Sequence, residues 1–222
     1  MKHAAENPCG DYHIVYLSNS TISYDGLKAY MVNHCRFPEV DRYIFLFTDI
    51  TSVEKKITDL RIQATTDSLT GIYNRTRIED SMKTEIQRAV RYKSTLSLIM
   101  FDIDYFKNIN DNYGHEVGDN ILIELSSLVR EDIREYDVFA RWGGEEFMIM
   151  APNNDTEHAR QLAEKLRQMI ENHLFQDVGT VHAVLVWHTQ FAEEDTISSF
   201  TKRADEALYD AKRSGRNKVC IR

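Results

Sequence analysis

The stretch DVFARWGGEEFMIMAP, residues 137–152, predicts a β-hairpin. Two runs with strand-like alternation flank two adjacent glycines, which is typical of antiparallel strands joined by a tight turn. Gly143 and Gly144 would supply the positive φ angles that such a turn needs. The turn leads directly into Glu145 and Glu146, so the sequence places two carboxylates near the tip of the hairpin. A solvated acidic turn without a further role is the alternative interpretation.

A second acidic pair ends the apolar strand predicted over residues 96–104, where Asp102 and Asp104 follow the run LSLIMF. Phosphoryl-transfer enzymes place carboxylates at strand ends because Mg²⁺ prefers oxygen ligands on a rigid platform. A hairpin beside this strand would bring Glu145 towards Asp102. Together the two would hold one or two Mg²⁺ ions, which in turn bind a nucleoside triphosphate. The alternative is an acidic strand end that caps a helix.

Hydrophobic periodicity from residue 67 onwards predicts alternating helices and strands. This order favours an α+β fold with a ferredoxin-like or palm sheet, rich in antiparallel pairs, and with helices on one face. Besides the hairpin, the predicted helices cover about 75–93, 116–133, 156–172 and 198–213, and the predicted strands cover 96–104, 181–187 and 218–222.

A helix predicted over residues 51–66 links this region to a β-rich segment, residues 1–50. Its apolar side chains follow the 3, 4, 3, 4 spacing of the a and d positions of a heptad repeat. This spacing favours a parallel two-stranded coiled coil, and hence a homodimer; an amphipathic helix packed on its own domain is the alternative. The a and d positions are Ile50, Val53, Ile57, Leu60 and Ala64.

Charge and composition exclude several classes of protein. The chain has 222 residues and a formal net charge of −8. Without a run of lysines or arginines, an acidic chain repels nucleic acid, so no nucleic-acid partner is expected. No apolar stretch is long enough to predict a membrane span. Three scattered cysteines, Cys9, Cys35 and Cys220, fit a reducing compartment and predict a cytoplasmic location.

Four separated motifs resemble those of the GGDEF domain, the catalytic domain of diguanylate cyclases. They are DSLTGIYNR (67–75), FDIDYFKNINDNYGHEVGD (101–119), RWGGEEF (141–147) and ADEALYDAKRSGRNKV (204–219). The resemblance covers residues 67–222 and implies an antiparallel-rich palm sheet with surrounding helices. It also implies condensation of two GTP molecules into cyclic di-GMP with release of pyrophosphate. Since each domain would hold one GTP, it implies an active dimer.

The resemblance also implies the metal ligands. Asp102 and Glu145 match the carboxylate ligands of Mg²⁺, with Mn²⁺ as an alternative, and the carbonyl of Ile103 matches a further ligand. Glu145 is the implied general base, should a protein group act as one. Glu146 matches a position that supports the metal site or the hairpin.

Further positions match residues that bind the substrate. Asn110 and Asp119 match those that contact the guanine edge, and a carboxylate there favours GTP over ATP because adenine lacks the N1–H and N2–H₂ donors. Phe106 and Lys107 match a loop over the phosphates. Lys212 and Arg216 match the pair that binds the terminal phosphates, where arginine forks onto oxygen atoms and lysine adds a point charge.

The RxxD motif of Arg134 and Asp137 resembles the family's inhibitory site for the product, cyclic di-GMP. Five residues separate it from Gly143. An ion pair between positions i and i+3 of a helix end is the alternative. Lys165 aligns with a secondary arginine of this site. Because lysine cannot make the same fork, we expect weaker product inhibition.

One region departs from the family's pattern, and another lies outside the part of the chain that resembles a GGDEF domain. Residues 184–186, Val-Leu-Val, replace the usual Ser-Ile-Gly, so the local packing must differ. Residues 43–56 resemble the last strand and exit helix of a PAS domain, so residues 1–50 are predicted to be the C-terminal part of a PAS-like sensor. The departures leave two alternatives to an active enzyme: a weakly catalytic domain that binds GTP or cyclic di-GMP, and a dimerisation adaptor.

Overall fold

The computed structural model describes residues 13–18, 27–37, 42–189 and 196–221. Cys9 and Arg222, the last residue of the predicted strand 218–222, lie outside these residues. The chain divides into two compact units, one ending at Ile62 and the other beginning at Gln63.

The first unit contains a three-stranded antiparallel sheet with the order β1-β2-β3. Helix α1 starts directly after β3, where the hydroxyl of Thr51 accepts a hydrogen bond of 3.0 Å from the amide of Ala29. The elements are β1 (His13–Ser18), β2 (Leu27–Phe37), β3 (Arg42–Asp49) and α1 (Thr51–Thr65).

A six-stranded mixed sheet with the order β11-β10-β5-β7-β6-β4 forms the centre of the second unit. The pairs β10–β5, β5–β7 and β7–β6 are antiparallel, whereas β4–β6 and β10–β11 are parallel. This arrangement confirms the predicted α+β class. The strands are β4 (Tyr73–Asn74), β5 (Leu96–Ile103), β6 (Val138–Gly143), β7 (Glu146–Pro152), β8 (Leu174–Phe175), β9 (Gly179–Thr180), β10 (Ala183–Thr189) and β11 (Val219–Ile221), with β8 and β9 forming a separate hairpin.

In the described part of the second unit, five helices accompany this sheet, and four of them match the predicted helices to within about a residue at each end. Side chains of Asn74, Asp155 and Thr196 accept hydrogen bonds from backbone amides at three helix starts, which accounts for the sharp boundaries. The helix that begins at Phe106 was not predicted. Phe106 and Lys107 are its first two residues, whereas a loop was expected there. The helices are α2 (Arg75–Tyr92), α3 (Phe106–Tyr113), α4 (His115–Asp132), α5 (Thr156–Asn172) and α6 (Ile197–Arg213).

The central strand β5 is buried along its whole length. Ile99 and Phe101 belong to one core with side chains of α4 and α5, whereas Leu98 and Met100 belong to a second core with side chains of α2 and α6. Helices therefore cover both faces of the sheet, and the prediction of helices on one face is wrong. The reason is visible in β5 itself, whose residues are apolar at both alternating sets of positions.

The divergent residues of β10 are accommodated within these two cores. Val184 and Val186 are buried in the core of α2 and α6, and Leu185 is buried in the core of α4 and α5. The larger side chains thus fill the interior on both sides of the strand. In the part of the chain that the structure describes, no helix is long and apolar enough to cross a membrane.

Candidate functional site

The strand register brings the acidic residues of the two motifs together at one end of the sheet. Asp102, near the end of β5, lies opposite Glu146, the first residue of β7. The amide of Ile103 donates a hydrogen bond of 3.4 Å to the carbonyl of Glu145. Three carboxylates therefore surround the end of the central strand.

The turn between β6 and β7 consists of Gly144 and Glu145, because Gly143 pairs with Glu146. Gly144 has a φ of 55°, whereas Gly143 is not in the positive-φ region. The prediction that both glycines need positive φ is wrong for Gly143, which belongs to β6. A register shift between Arg141 and Gly143 makes the irregularity that presents Glu145 at the tip.

The side chain of Arg141 fixes this turn. Its Nε donates to the carbonyl of Gly144 at 2.9 Å, and its Nη1 donates to Asp67 at 3.1 Å. Asp67 also accepts from the amide and hydroxyl of Thr70, at 2.9 and 2.8 Å. The turn is thereby bound to the start of the second unit. Sequence reasoning had assigned no role to either member of this ion pair.

Negative charge at the end of β5 is only partly compensated. Burial raises the pKa of Asp102 to about 6, and repulsion from Glu145 and Glu146 adds to this effect. Lys212 of α6 opposes it, since its Nζ lies 2.7 Å from the Asp102 carboxylate. Burial also raises the pKa of Glu146, and Asp205 contributes further repulsion. The carboxylate cluster would therefore gain from an additional positive charge.

Asp104 has a different set of partners. Its Oδ2 accepts a hydrogen bond of 2.9 Å from the amide of Asn217, and its Oδ1 lies 3.7 Å from Nε of Arg216. Arg216 also stacks on the ring of Tyr105, 4.2 Å from its centroid, and donates to its hydroxyl at 3.0 Å. Burial raises the pKa of Asp104, while these contacts with the loop after α6 act against the rise. Asp104 thus anchors that loop to β5.

The acidic residues fit a divalent cation whose remaining ligands come from a substrate and water. Among the described residues, no group of three or more His, Cys, Asp or Glu side chains is arranged to hold a metal ion. The predicted set contains only two carboxylates, Asp102 and Glu145, besides the carbonyl of Ile103. Mg²⁺ commonly takes one or two protein carboxylates and completes its shell with water and phosphate oxygens. The undercompensated charge of Asp102 is consistent with such a cation.

Asn110 and Asp119 lie on the two arms of a helical hairpin. Asn110 is in the last turn of α3, and Asp119 is an exposed residue of the second turn of α4. Between the helices, a β-carbon added at Gly118 would lie 1.9 Å from Oδ1 of Asn110. Gly118 therefore provides the space that the Asn110 amide occupies. Sequence reasoning had not singled out this glycine.

The two residues at the start of α3 have different surroundings. Phe106 is buried in the core, whereas Lys107 is exposed. The helix follows Tyr105, which has a φ of 58° and no side-chain capping bond. The first amides of a helix have no intrahelical acceptor, so these two backbone N–H groups are donors at the end of β5.

The RxxD motif forms a turn after α4. The amide of Arg134 donates to the Asp137 carboxylate at 3.1 Å, and the amide of Asp137 donates to the carbonyl of Arg134 at 3.0 Å. Both residues line a cavity of about 230 Å³ that also includes Lys165, whose Nζ lies 2.7 Å from a carboxylate oxygen of Asp132. The Asp137 carboxylate therefore stabilises the turn by binding the backbone amide of Arg134. The alternative, a helix-end ion pair, would have joined the two side chains.

Comparisons with known proteins agree with this arrangement. Residues 64–218 match the sequence profile of the family described as "Diguanylate cyclase, GGDEF domain". The chain is 38% identical over 184 residues to a diguanylate cyclase of Vibrio cholerae, covering 82% of this chain and 57% of that protein. It spans 26–57% of the length of the first three curated relatives it matches.

Solved structures give the same result. The coiled coil and GGDEF domain of DgcB from Caulobacter crescentus, in complex with c-di-GMP, has a TM-score of 0.73 at 26% identity and covers 78% of this chain and 93% of that one. The active GGEEF domain of a Vibrio cholerae diguanylate cyclase has a TM-score of 0.63 at 37% identity and covers 67% and 96%, respectively. The chain belongs to the GGDEF-domain family of diguanylate cyclases.

Proposed function

We propose that the chain is a diguanylate cyclase, which converts two GTP molecules into one cyclic di-GMP and two pyrophosphates. One observation carries the proposal. Two acidic side chains and two cationic side chains lie close together at the end of β5: Asp102, Glu145, Lys212 and Arg216. Carboxylates beside two cationic side chains suit a metal-bound triphosphate, in which both signs of charge need a partner. The names of the relatives support the same reaction.

In this proposal Asp102, Glu145 and the carbonyl of Ile103 would hold Mg²⁺, with Mn²⁺ as an alternative. When bound there, the metal would supply positive charge that favours deprotonation of the 3′-hydroxyl and offsets charge on the α-phosphate. Glu145 is the candidate base for the hydroxyl proton, because it occupies the tip of the turn and is only partly buried. Glu146 supports the cluster from its position opposite Asp102.

The remaining residues bind and orient GTP. Asn110 and Asp119 contact the guanine edge, and the Asp119 carboxylate accepts from N1–H and N2–H₂. The backbone amides of Phe106 and Lys107 donate to phosphate oxygens. Lys212 and Arg216 bind the terminal phosphates, and when Lys212 does so it exchanges its contact with Asp102 for one with substrate. Pyrophosphate leaves from this end.

Two such domains must face each other, since each 3′-hydroxyl attacks the α-phosphate of the other GTP. The a and d positions of α1 support a dimer. Val53 and Leu60 are 54% and 53% exposed, and α1 has no buried residue. We propose that a second copy of this helix covers them in a coiled coil. Residues 51–66 would then join a PAS-like segment, residues 1–50, to the catalytic domain, residues 67–222.

Product inhibition is proposed to act through Arg134 and Asp137. The cavity that they line contains charged and polar groups suited to a guanine edge or a phosphate. Lys165 is engaged with Asp132 and offers a single point charge, so weak inhibition is expected.

The test of the proposed activity is incubation of the chain with GTP and Mg²⁺, with nucleotides resolved by mass spectrometry. We expect cyclic di-GMP and pyrophosphate, and we expect neither from the Glu145→Gln variant. Glu157→Gln is the matched control because Glu157 is exposed on α5 and pairs only with neighbours of that helix. A chain that binds GTP yet forms no product at any protein concentration would instead be a nucleotide-binding regulator.

A further inference from the structure

The loop between α6 and β11 contains three consecutive residues in an unusual backbone conformation. Gly215, Arg216 and Asn217 have φ angles of 113°, 57° and 40°. Residues with a β-carbon rarely adopt positive φ, and two in succession persist only where the surroundings hold them. Arg216 is one of the two cationic residues that the proposed function assigns to the phosphates, so what holds this loop bears on the site.

Asn217 is held from two sides. Its backbone amide donates to Asp104, the residue directly after β5, at 2.9 Å. Its side-chain Nδ2 donates to Glu171 of α5 at 2.7 Å, and its Oδ1 accepts from Nη1 of Arg167 at 2.8 Å. One residue therefore connects the end of the central strand with α5, and both ends of its carboxamide are bound.

Arg167 is the centre of the contacts on α5. Its side chain is only 13% exposed. It donates to Glu164 through Nε and Nη2, at 3.0 and 2.7 Å, and through Nη1 to both Glu171 and Asn217, at 2.8 Å each. The two glutamates fix the plane of the guanidinium. In this orientation Nη1 can also donate to Oδ1 of Asn217. A lysine ammonium carries its three donors on one nitrogen, so it could not reproduce four bonds that leave from three separate nitrogens.

We propose that Arg167 is a positioning residue which, through Asn217, directs Arg216 towards the terminal phosphates of the substrate. Because Arg216 directly precedes Asn217, the bonds to Asp104 and to α5 fix the backbone from which its side chain projects. The contacts of Arg216 with Tyr105 and Asp104 then confine its guanidinium at the end of β5. Arg167 itself makes none of these contacts with the site. The inference rests on the proposed role of Arg216.

Nucleotide affinity measured with and without the terminal phosphates tests this inference. The full chain and its Arg216→Ala, Arg167→Ala and Asn217→Gly variants are titrated with 3′-deoxy-GTP, which cannot condense, and with GMP, both with Mg²⁺. We expect Arg216→Ala to weaken 3′-deoxy-GTP binding about tenfold, the effect of one charge-assisted contact. Arg167→Ala and Asn217→Gly should weaken it about fivefold. GMP affinity should be unchanged in all three variants.

Two features of the design separate positioning from general damage. Glycine adopts positive φ freely, so Asn217→Gly removes the side-chain clamp while relieving the backbone conformation. Arg160→Ala is the matched control, since Arg160 lies on the same helix and pairs with Glu157 at the surface, without contact to the loop. It should bind both nucleotides as the unmodified chain does.

Three results would overturn the inference, each in a different way. Unchanged 3′-deoxy-GTP affinity in Arg167→Ala, alongside a loss in Arg216→Ala, would remove the role of Arg167 and leave the phosphate contact intact. Equal losses for 3′-deoxy-GTP and GMP in Arg167→Ala would show a merely structural role. No selective loss in Arg216→Ala would refute the phosphate contact itself, and with it both the inference and that part of the proposed function.

Discussion

Single residues at the end of β5 carry more negative charge than the neighbouring cations neutralise. Asp102 is buried beside Glu145 and Glu146, and Lys212 is its close counter-charge. Burial and repulsion together favour the protonated form, as the raised pKa of Asp102 indicates. The proposed cation and substrate would offset this charge, which weakens the fold in their absence.

Replacing Asp102 by asparagine should stabilise the metal-free protein and abolish product formation. The folded-state pKa of about 6 lies above the ordinary aspartate value of 3.8, so the folded state binds protons more tightly than the unfolded one. The ionised carboxylate then costs up to about 3 kcal/mol of stability at pH 7.5, and the amide removes this cost. Thermal unfolding in the presence of a chelator measures the gain.

The same experiment has a pH control. As the pH falls from about 6 towards 4, Asp102 becomes protonated in the unmodified chain. The difference in stability between the unmodified chain and the Asp102→Asn variant should therefore disappear. An Asp102→Asn protein that is less stable than the unmodified chain at pH 7.5 would contradict this account of the charge.

Asp119→Asn should lower kcat/KM for GTP by about 10- to 100-fold, because the amide replaces one carboxylate acceptor by a donor that faces the guanine N1–H. Steady-state kinetics with GTP measures the change. Asp111→Asn is a control on the neighbouring helix α3, where Asp111 is exposed and has no assigned role. Equal kcat/KM values for Asp119→Asn and the unmodified chain would remove Asp119 from the guanine site.

Among the elements, the helical hairpin of α3 and α4 carries the predicted guanine contacts. Gly118 of α4 leaves room for the Asn110 amide of α3. The Asn110 amide occupies the space where a side chain at position 118 would lie. The amide is the far end of the Asn110 side chain and can move, whereas the helix backbone cannot. A β-carbon at position 118 would therefore displace the amide, and it would also lie 3.3 Å from Cζ of Phe106.

Gly118→Ala should raise the KM for GTP several-fold without loss of stability. A β-carbon 1.9 Å from Asn110 Oδ1 forces the amide away from its place. Alanine within a helix is favoured over glycine by about 1 kcal/mol, so the melting temperature should be equal or higher. Kinetics and thermal unfolding of the same preparation test both parts. A variant with lower stability and unchanged KM would show that the contact serves packing only.

The elements also show how far the sequence predicts this fold. Helices α4, α5 and α6 and the hairpin follow from periodicity and turn residues, which are local signals. Helix α3 has only eight residues, most of them polar, and it is held by burial of Phe106 in the core. The two-residue strands β8 and β9 likewise depend on their surroundings.

Long-range contacts of the site could not be predicted from local patterns. Asp102 and Glu145 stand out because acidic residues follow a strand and a glycine turn. The Asp67–Arg141 pair and the Asp104–Asn217 bond join residues 74 and 113 positions apart. Such pairs carry no periodic signal, so only the folded sheet brings them together.

For the whole molecule, the proposed catalysis by two half-sites would make activity depend on the assembly of two chains. The proposed coiled coil of α1 would raise the local concentration of catalytic domains and so favour their encounter. The four a and d residues within α1 are exposed in the single chain, whereas Ile50, which precedes the helix, is half-buried. Activity should therefore follow the fraction of dimer.

Leu60→Asp should lower the rate per chain at low protein concentration, because two carboxylates would face each other across a parallel coil. Light scattering measures the oligomeric state alongside the rate. Thr58→Asp is the matched control, an exposed residue of α1 outside the a and d positions. Equal dimer fractions in both variants would place the dimer contact elsewhere.

The decisive experiment measures the initial rate of cyclic di-GMP formation per chain over a wide range of protein concentrations, at saturating GTP and Mg²⁺. We expect this rate to rise with concentration and to reach a plateau as light scattering shows the dimer to be complete. A rate per chain that stays constant while the protein passes from monomer to dimer would refute the proposed pair of half-sites, and the absence of cyclic di-GMP throughout would refute the proposed activity.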